Sequence, residues 1–315
     1  MKKYYLFLFL AFTMGCTQDA DEGVNEDIER DERKLLEFFA QNNINPNETS
    51  LGIFFEKIET NDLGNQITSG DIVGIYYEIR TIDGRLIDSY TDESRPPRLY
   101  IHEDGGTIPR AINFVSSFAK EGETVLLYAP AYLGYNDYYF GQLIQPEENL
   151  KIRIKFKKIY SEQEIQELED QEITEHIAFN NLVGFEESES GLFLLEIAEG
   201  DTESPKAENG KIIRITYSIS HLNEVQPVAQ VSSQSNPFQV TIGDAQNVPF
   251  IEELLKGLSK DAEIRAIVPS HLAFGATTQV FPFEIRSDLV QKGRLNQTVR
   301  PFEPIIFQAK VVDVR

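Results

Sequence analysis

Apolar positions in this chain recur mostly with a period of two. The cleanest run, Leu150-Lys151-Ile152-Arg153-Ile154-Lys155-Phe156, sets one apolar face against one cationic face, as a half-buried strand does. Comparable β-branched or aromatic runs at 53–58, 72–81, 98–102, 124–129 and 150–159 predict the strands of the first half. Asp83-Gly84 marks a turn between two such runs. Over 108–118 the period changes, and Ile112, Val115 and Phe118 behind Pro109 predict a short helix. A Glu- and Gln-rich stretch at 161–179 predicts a second, joining helix. Strands gathered around one short helix describe an α+β domain, an antiparallel sheet packed on a helix.

The pattern then repeats. Ser50-Leu51-Gly52-Ile53-Phe54-Phe55 is echoed by Ser190-Gly191-Leu192-Phe193-Leu194-Leu195, and Gly70-Asp71-Ile72-Val73 by Gly210-Lys211-Ile212-Ile213. Pro130-Ala131-Tyr132-Leu133-Gly134-Tyr135 is echoed by Pro269-Ser270-His271-Leu272-Ala273-Phe274. The offset is 140 residues for the first two pairs and 139 for the third. Even the lead-in Asn42-Asn43-Ile44 returns as Asn180-Asn181-Leu182. Constant spacing means two copies of one domain. We place them at 31–160, the first opening with an N-terminal helix, and at 181–315, joined by a helix at 161–180. One insertion breaks the symmetry: Tyr135 to Ile144 spans nine residues and Phe274 to Val299 spans 25. The extra 16 residues enlarge a loop at 276–298 that carries Val280-Phe281-Pro282-Phe283-Glu284-Ile285. A loop of that length in a compact domain is expected to cover a site or dock a partner, through Phe281 and Phe283.

The start of the chain changes the picture of where the protein works. Lys2 and Lys3 precede a nine-residue apolar run, Tyr4 to Phe12, too short for a membrane span of ~20 residues but of signal-peptide length. It ends at Gly15-Cys16, and Cys16 is the only cysteine. The pair resembles a bacterial lipoprotein cleavage site, which implies a signal peptide at 1–15 and lipidation of Cys16. Behind it stand Asp19, Asp21, Glu22, Glu26 and Asp27, so 16–30 is expected to be a disordered acidic tether. The net charge of −22 disfavours nucleic acid and anionic lipid as partners. His102, His176, His221 and His271 lack metal-ligand spacing, and no phosphate-cradling glycine loop or nucleophile elbow is present. No metal and no cofactor is expected.

The order of motifs resembles the FKBP-type peptidyl-prolyl isomerases. The resemblance covers roughly 50–159 and 189–314, and its most specific piece is Val268-Pro269-Ser270-His271-Leu272-Ala273-Phe274-Gly275, followed by Pro301 and Ile305-Ile306-Phe307. It implies two tandem FKBP-like domains, each an antiparallel sheet wrapped on a short α-helix. It also implies a proline-binding slot in each. In the first domain the slot falls on Tyr77, Asp88, Ile108 and Tyr135 as the polar and backbone set, with Ile87, Ala111, Ile144 and Ile152 as walls and floor. In the second it falls on Tyr217, Phe238, Val248, Ile251, Phe274, Val299 and Phe307, with Val228 in place of the aspartate. The family's floor tryptophan is missing from both, since the chain has no tryptophan.

Rotation about an X-Pro amide faces a barrier of roughly 18–20 kcal/mol, because resonance must be broken. Catalysis asks for no nucleophile, only an apolar slot that favours the twisted amide and donors aimed at the peptide carbonyl. The resemblance implies such donors at the Ile108 N–H and the Tyr135 hydroxyl, with Asp88 partnering Tyr77. The first domain keeps this polar set while its walls turn aliphatic; the second keeps aromatic walls and loses the polar groups. The expected function is therefore a weak peptidyl-prolyl cis-trans isomerase centred on the first domain. Its expected clients are proline-containing segments of envelope proteins. The alternative is a non-catalytic binding module or chaperone subunit of an outer-membrane assembly or secretion complex. An outer-membrane lipoprotein is the expected setting, facing either the periplasm or the cell surface.

Overall fold

The computed structural model describes residues 19–49 and 52–315. The expected leader at 1–15 and the lipidation site Cys16 lie outside the described residues, as do Ser50 and Leu51 of the repeat.

In chain order the first half runs α1 (Asp19–Asn42), β1 (Asn47–Glu48), β2 (Phe54–Glu59), β3 (Ile72–Thr81), β4 (Leu86–Tyr90), β5 (Arg98–Ile101), β6 (Thr107–Ile108), α2 (Arg110–Ser116), β7 (Thr124–Ala129) and β8 (Leu150–Tyr160). Then comes α3 (Glu162–Phe179). The second half follows with β9 (Glu186–Glu187), β10 (Phe193–Ala198), β11 (Ile212–His221), β12 (Ala229–Val231), β13 (Phe238–Thr241), α4 (Pro249–Leu255), β14 (Glu263–Val268), β15 (Gln279–Val280), α5 (Arg286–Gln291) and β16 (Ile305–Val314). The first sheet has the order β1-β2-β7-β8-β3-β4 with β5 also on β3. The second has β9-β10-β14-β16-β11-β12 with β13 also on β11. The two orders correspond strand for strand, and every pairing within each sheet is antiparallel. This is the tandem α+β fold that the repeat and the motif order imply.

Each sheet folds over its short helix for the reason the pattern gives. Along β8, Leu150, Ile152, Ile154 and Phe156 are buried while the intervening Lys and Arg side chains face outward. They meet Ala111, Ile112 and Val115 of α2 in one core. In the second domain Phe250, Leu254 and Leu255 of α4 meet the inward side chains of β11 and β16.

Helix α3 joins the domains as a packed strut. Its start carries a capping box, the Ser161 hydroxyl accepting from the Glu164 N–H while the Glu164 carboxylate accepts from the Ser161 N–H. Ile165, near its beginning, packs on Ile72, Leu99 and Tyr160 of the first domain. Ile173, two turns later, packs on Leu222, Ile267 and Ile306 of the second.

One expectation fails here. The acidic stretch behind Cys16 is not a disordered tether along its described length, because α1 is helical from Asp19. Its C-terminal half is anchored: Leu35 and Phe39 are buried against Phe54 and Tyr128, with Phe39 ring centroids 5.0 Å from both partners. Once nucleated by that docking, a helix extends at little cost per residue. Arg30 adds an ion pair to Asp27 at 2.7 Å. Among the described residues no helix is long and apolar enough to cross a membrane.

Candidate functional site

Four side chains singled out in the first domain converge at one end of its sheet. Tyr77 lies on β3 and Asp88 on the neighbouring β4, and the Tyr77 hydroxyl donates to Asp88 Oδ2 at 2.6 Å. The Ser89 N–H donates to the other carboxylate oxygen at 2.8 Å. Burial pushes the Asp88 carboxyl above its ordinary range despite these two donors. Burial, then the Asp88 charge, holds the Tyr77 phenol well above its usual value, and the same two causes raise Tyr135. Both tyrosines therefore stay protonated and serve as donors. Ile87, Ala111, Ile144 and Ile152 join them in a single buried cluster, with Ile108 packed at its margin.

The slot so formed is filled by the other domain. The enlarged loop of the second domain crosses over and pairs β15 with β6 as a short parallel sheet, Gln279 beside Thr107 and Val280 beside Ile108. The Gln279 N–H donates to Gly106 O at 2.9 Å and the Phe281 N–H to Ile108 O at 2.8 Å. Ile108 thus takes part through its carbonyl as acceptor in this arrangement. The Tyr135 hydroxyl donates to the carbonyl oxygen of Phe281, the residue before Pro282, at 2.6 Å. The Phe281 ring, 2% exposed, lies 4.2 Å from the Tyr77 ring, centroid to centroid. Val280, Phe281, Ile285 and Leu289 belong to the first domain's core rather than their own. At about 1.5–3 kcal/mol per fully buried apolar side chain, these four contribute on the order of 6–12 kcal/mol before the cost of ordering the loop. The loop was expected to act through Phe281 and Phe283. Phe281 enters the first slot, whereas Phe283 stays with its own domain, its ring 5.7 Å from the His221 ring and under the Arg300 guanidinium at 4.3 Å. An open cleft of about 380 Å³ remains beside the filled slot, bordered by Asp88, Arg98, Glu224, Phe281 and Arg300.

The second domain's site is open and apolar. Tyr217 stacks its edge on Phe238 at 5.4 Å and lies 6.1 Å from Phe307. Phe274, Val248 and Ile251 are half-buried around the same core and Val299 is fully inside it. Phe238 is 45% exposed. Strand register moves the aspartate's counterpart by one position. Asp88 stands opposite Ile79, and opposite the matching Ile219 stands Ala229, not Val228. The carboxylate is lost under either alignment.

Register also finds a residue that the motif order missed. Pro109 caps α2 and Val248 caps α4, and the N–H two residues after Ala111's predecessor behaves alike in both: Ile112 donates to Pro109 O and Ile251 to Val248 O. Ala111 therefore corresponds to Phe250, not Ile251. Phe250 is buried, 5.1 Å from Phe307 and 6.3 Å from Phe274, so the second slot has an aromatic floor. The 139-residue offset of Pro130 and Pro269 was the available signal, since it applies to the helix as well.

Residues 203–312 match the family model of the FKBP-type peptidyl-prolyl cis-trans isomerases. No curated protein matches the chain. Three of the solved structures similar to it are the following. The three FKBP domains of wheat FKBP73 share 15% identity, with 84% of this chain and 96% of that one covered and a TM-score of 0.32. A peptidyl-prolyl cis-trans isomerase from Pseudomonas syringae shares 16%, covering 49% and 98%, with a TM-score of 0.35. FkpA from Escherichia coli shares 18%, covering 50% and 75%, with a TM-score of 0.34.

Proposed function

The second half of this chain belongs to the FKBP-type peptidyl-prolyl cis-trans isomerase family and the first half repeats its fold, and from that premise we propose that the protein isomerises X-Pro bonds at the first domain's slot. The observation that carries the reading is the bond from the Tyr135 hydroxyl to the carbonyl preceding Pro282. That bond holds the X-Pro carbonyl in place, in a slot walled by Ile87, Ala111 and Ile152 whose apolar surface favours the twisted amide. The apolar wall disfavours the charge-separated planar resonance form, and Tyr135 fixes the carbonyl against which the proline ring turns. Tyr77 and Asp88 hold each other and shape the mouth of the slot.

The second domain supports binding rather than rotation. Phe274 offers no hydroxyl where Tyr135 does, and Ala229 no carboxylate where Asp88 does. Its aromatic set around Phe250 suits capture of an apolar proline segment. The setting in this proposal is the bacterial envelope, with Cys16 carrying the lipid and proline-containing segments of other envelope proteins as clients. A protease-coupled assay on a proline tetrapeptide tests the reading. The full chain should accelerate isomerisation, Tyr135→Phe should lower the rate by about tenfold, near 1.4 kcal/mol of barrier, and Phe274→Tyr should change it little. An equal rate in wild type and Tyr135→Phe would remove the first slot as the catalytic site.

A further inference from the structure

The segment filling the first slot is built to do so. It rides on the 25-residue stretch between Phe274 and Val299, where the first domain uses nine residues for the same connection. The base of this finger is tied to itself by the buried Arg286. Its guanidinium donates to Thr278 O at 2.6 Å, to Gln297 O at 2.9 Å and to Thr277 Oγ1 at 3.1 Å, clamping the two stems together. The tip is tied to the other domain. Besides the strand pairing and the Tyr135 bond, Gln279 Nε2 donates to Leu99 O at 2.9 Å and the Tyr138 hydroxyl to Asp288 Oδ2 at 2.6 Å. The finger is thus clamped within itself at its base and held by the other domain at its apolar tip.

The geometry points to autoinhibition: Val280-Phe281-Pro282 is a resident pseudo-ligand of the first domain's slot, and an outside X-Pro segment reaches Tyr135 only when the finger withdraws. This rests on the reading of the slot as an X-Pro site. The occupant defines what can displace it, an extended apolar-aromatic-Pro segment that adds a strand to Thr107-Ile108 and offers its carbonyl to Tyr135. Because the finger is tethered, it competes at an effective concentration on the order of millimolar. A free client therefore sees only the fraction of molecules whose slot is empty, and its apparent affinity falls by that fraction.

The test uses the full chain as wild type, as the double variant Val280→Ser/Phe281→Ser, and as the milder Asp288→Asn, which loosens the Tyr138 tie outside the core. The probes are a fluorescein-labelled peptide with the sequence of residues 279–285 and the tetrapeptide Ala-Phe-Pro-Phe. The double variant should bind the labelled peptide at least ~10-fold more tightly than wild type, and Asp288→Asn should fall between them. Adding Tyr135→Phe to the double variant should weaken that binding again. If both loosened proteins melt as folded molecules yet bind the peptide no better than wild type, the inference is overturned. The two readings separate cleanly. Peptide binding gained without any turnover of the tetrapeptide would sink the isomerase reading and leave the autoinhibition standing. Wild type turning over the tetrapeptide as fast as the double variant would do the reverse.

Discussion

Tyr77 and Asp88 show how one polar pair constrains a slot. The tyrosine is buried and its hydroxyl points at a carboxylate that is itself mostly desolvated, so each is the other's main reason for being tolerated there. Replacing Asp88 by Val would leave the phenol without its acceptor, a loss of about 1–3 kcal/mol. Urea unfolding of Asp88→Val should show that loss, and the conservative Asp88→Asn should recover most of it. The second domain does without the carboxylate because Tyr217 is only half-buried and its walls reach solvent. The types and places of Tyr77, Asp88 and Tyr135 were readable from the motif order. The aromatic floor at Phe250 was not, because a one-residue slip between the two helix starts is invisible until backbone bonds fix the register.

Helix α3 carries a buried, pH-sensitive contact. Glu169 is 0% exposed, accepts the Ser270 N–H at 2.7 Å through one carboxylate oxygen, and is raised by burial to about 7. The folded state therefore holds a proton that the unfolded chain releases near 4.5. Stability contributed by this group is fully present below about 4.5 and is lost as pH rises through 7. Glu169→Gln removes the titration and keeps the acceptor. It should be about neutral at pH 5 and stabilise by about 3 kcal/mol at pH 8.5, from 1.36 kcal/mol per pKa unit. Denaturant curves at the two pH values check this, and a variant less stable at pH 8.5 would contradict it. The helix itself was visible as a Glu- and Gln-rich stretch. Its role as a strut was not, since Ile165 and Ile173 face different domains and no periodicity says which. The start of α1 over 19–30 was hidden for a related reason: its composition is that of a tether, whereas its continuation through Leu35 and Phe39 was legible as the first domain's N-terminal helix.

At the scale of the whole molecule, the two domains share a core. Phe281→Ala empties a buried ring position between them and should cost about 3–5 kcal/mol. Calorimetry should then resolve two transitions where the wild type, coupled through the finger and through the ion pair of Arg98 with Glu303, gives one. Chain repetition and the inserted loop were plain in the sequence, and the fold of each copy followed from them. The loop's destination did not, because an apolar run bearing Phe and Pro says that it will be buried without saying where. That destination gives the order of synthesis a meaning. Tyr135 and Phe281 are 146 residues apart, so a chain that emerges N-terminus first completes the first sheet well before its plug arrives. Until residues 279–285 follow, the slot stands open. During that interval an unpaired β6 edge and an aliphatic cavity face whatever is nearby. Chains stalled or cut anywhere between Tyr160 and Gln279 would keep that cavity permanently, and should be the form of this protein most prone to cling to its neighbours.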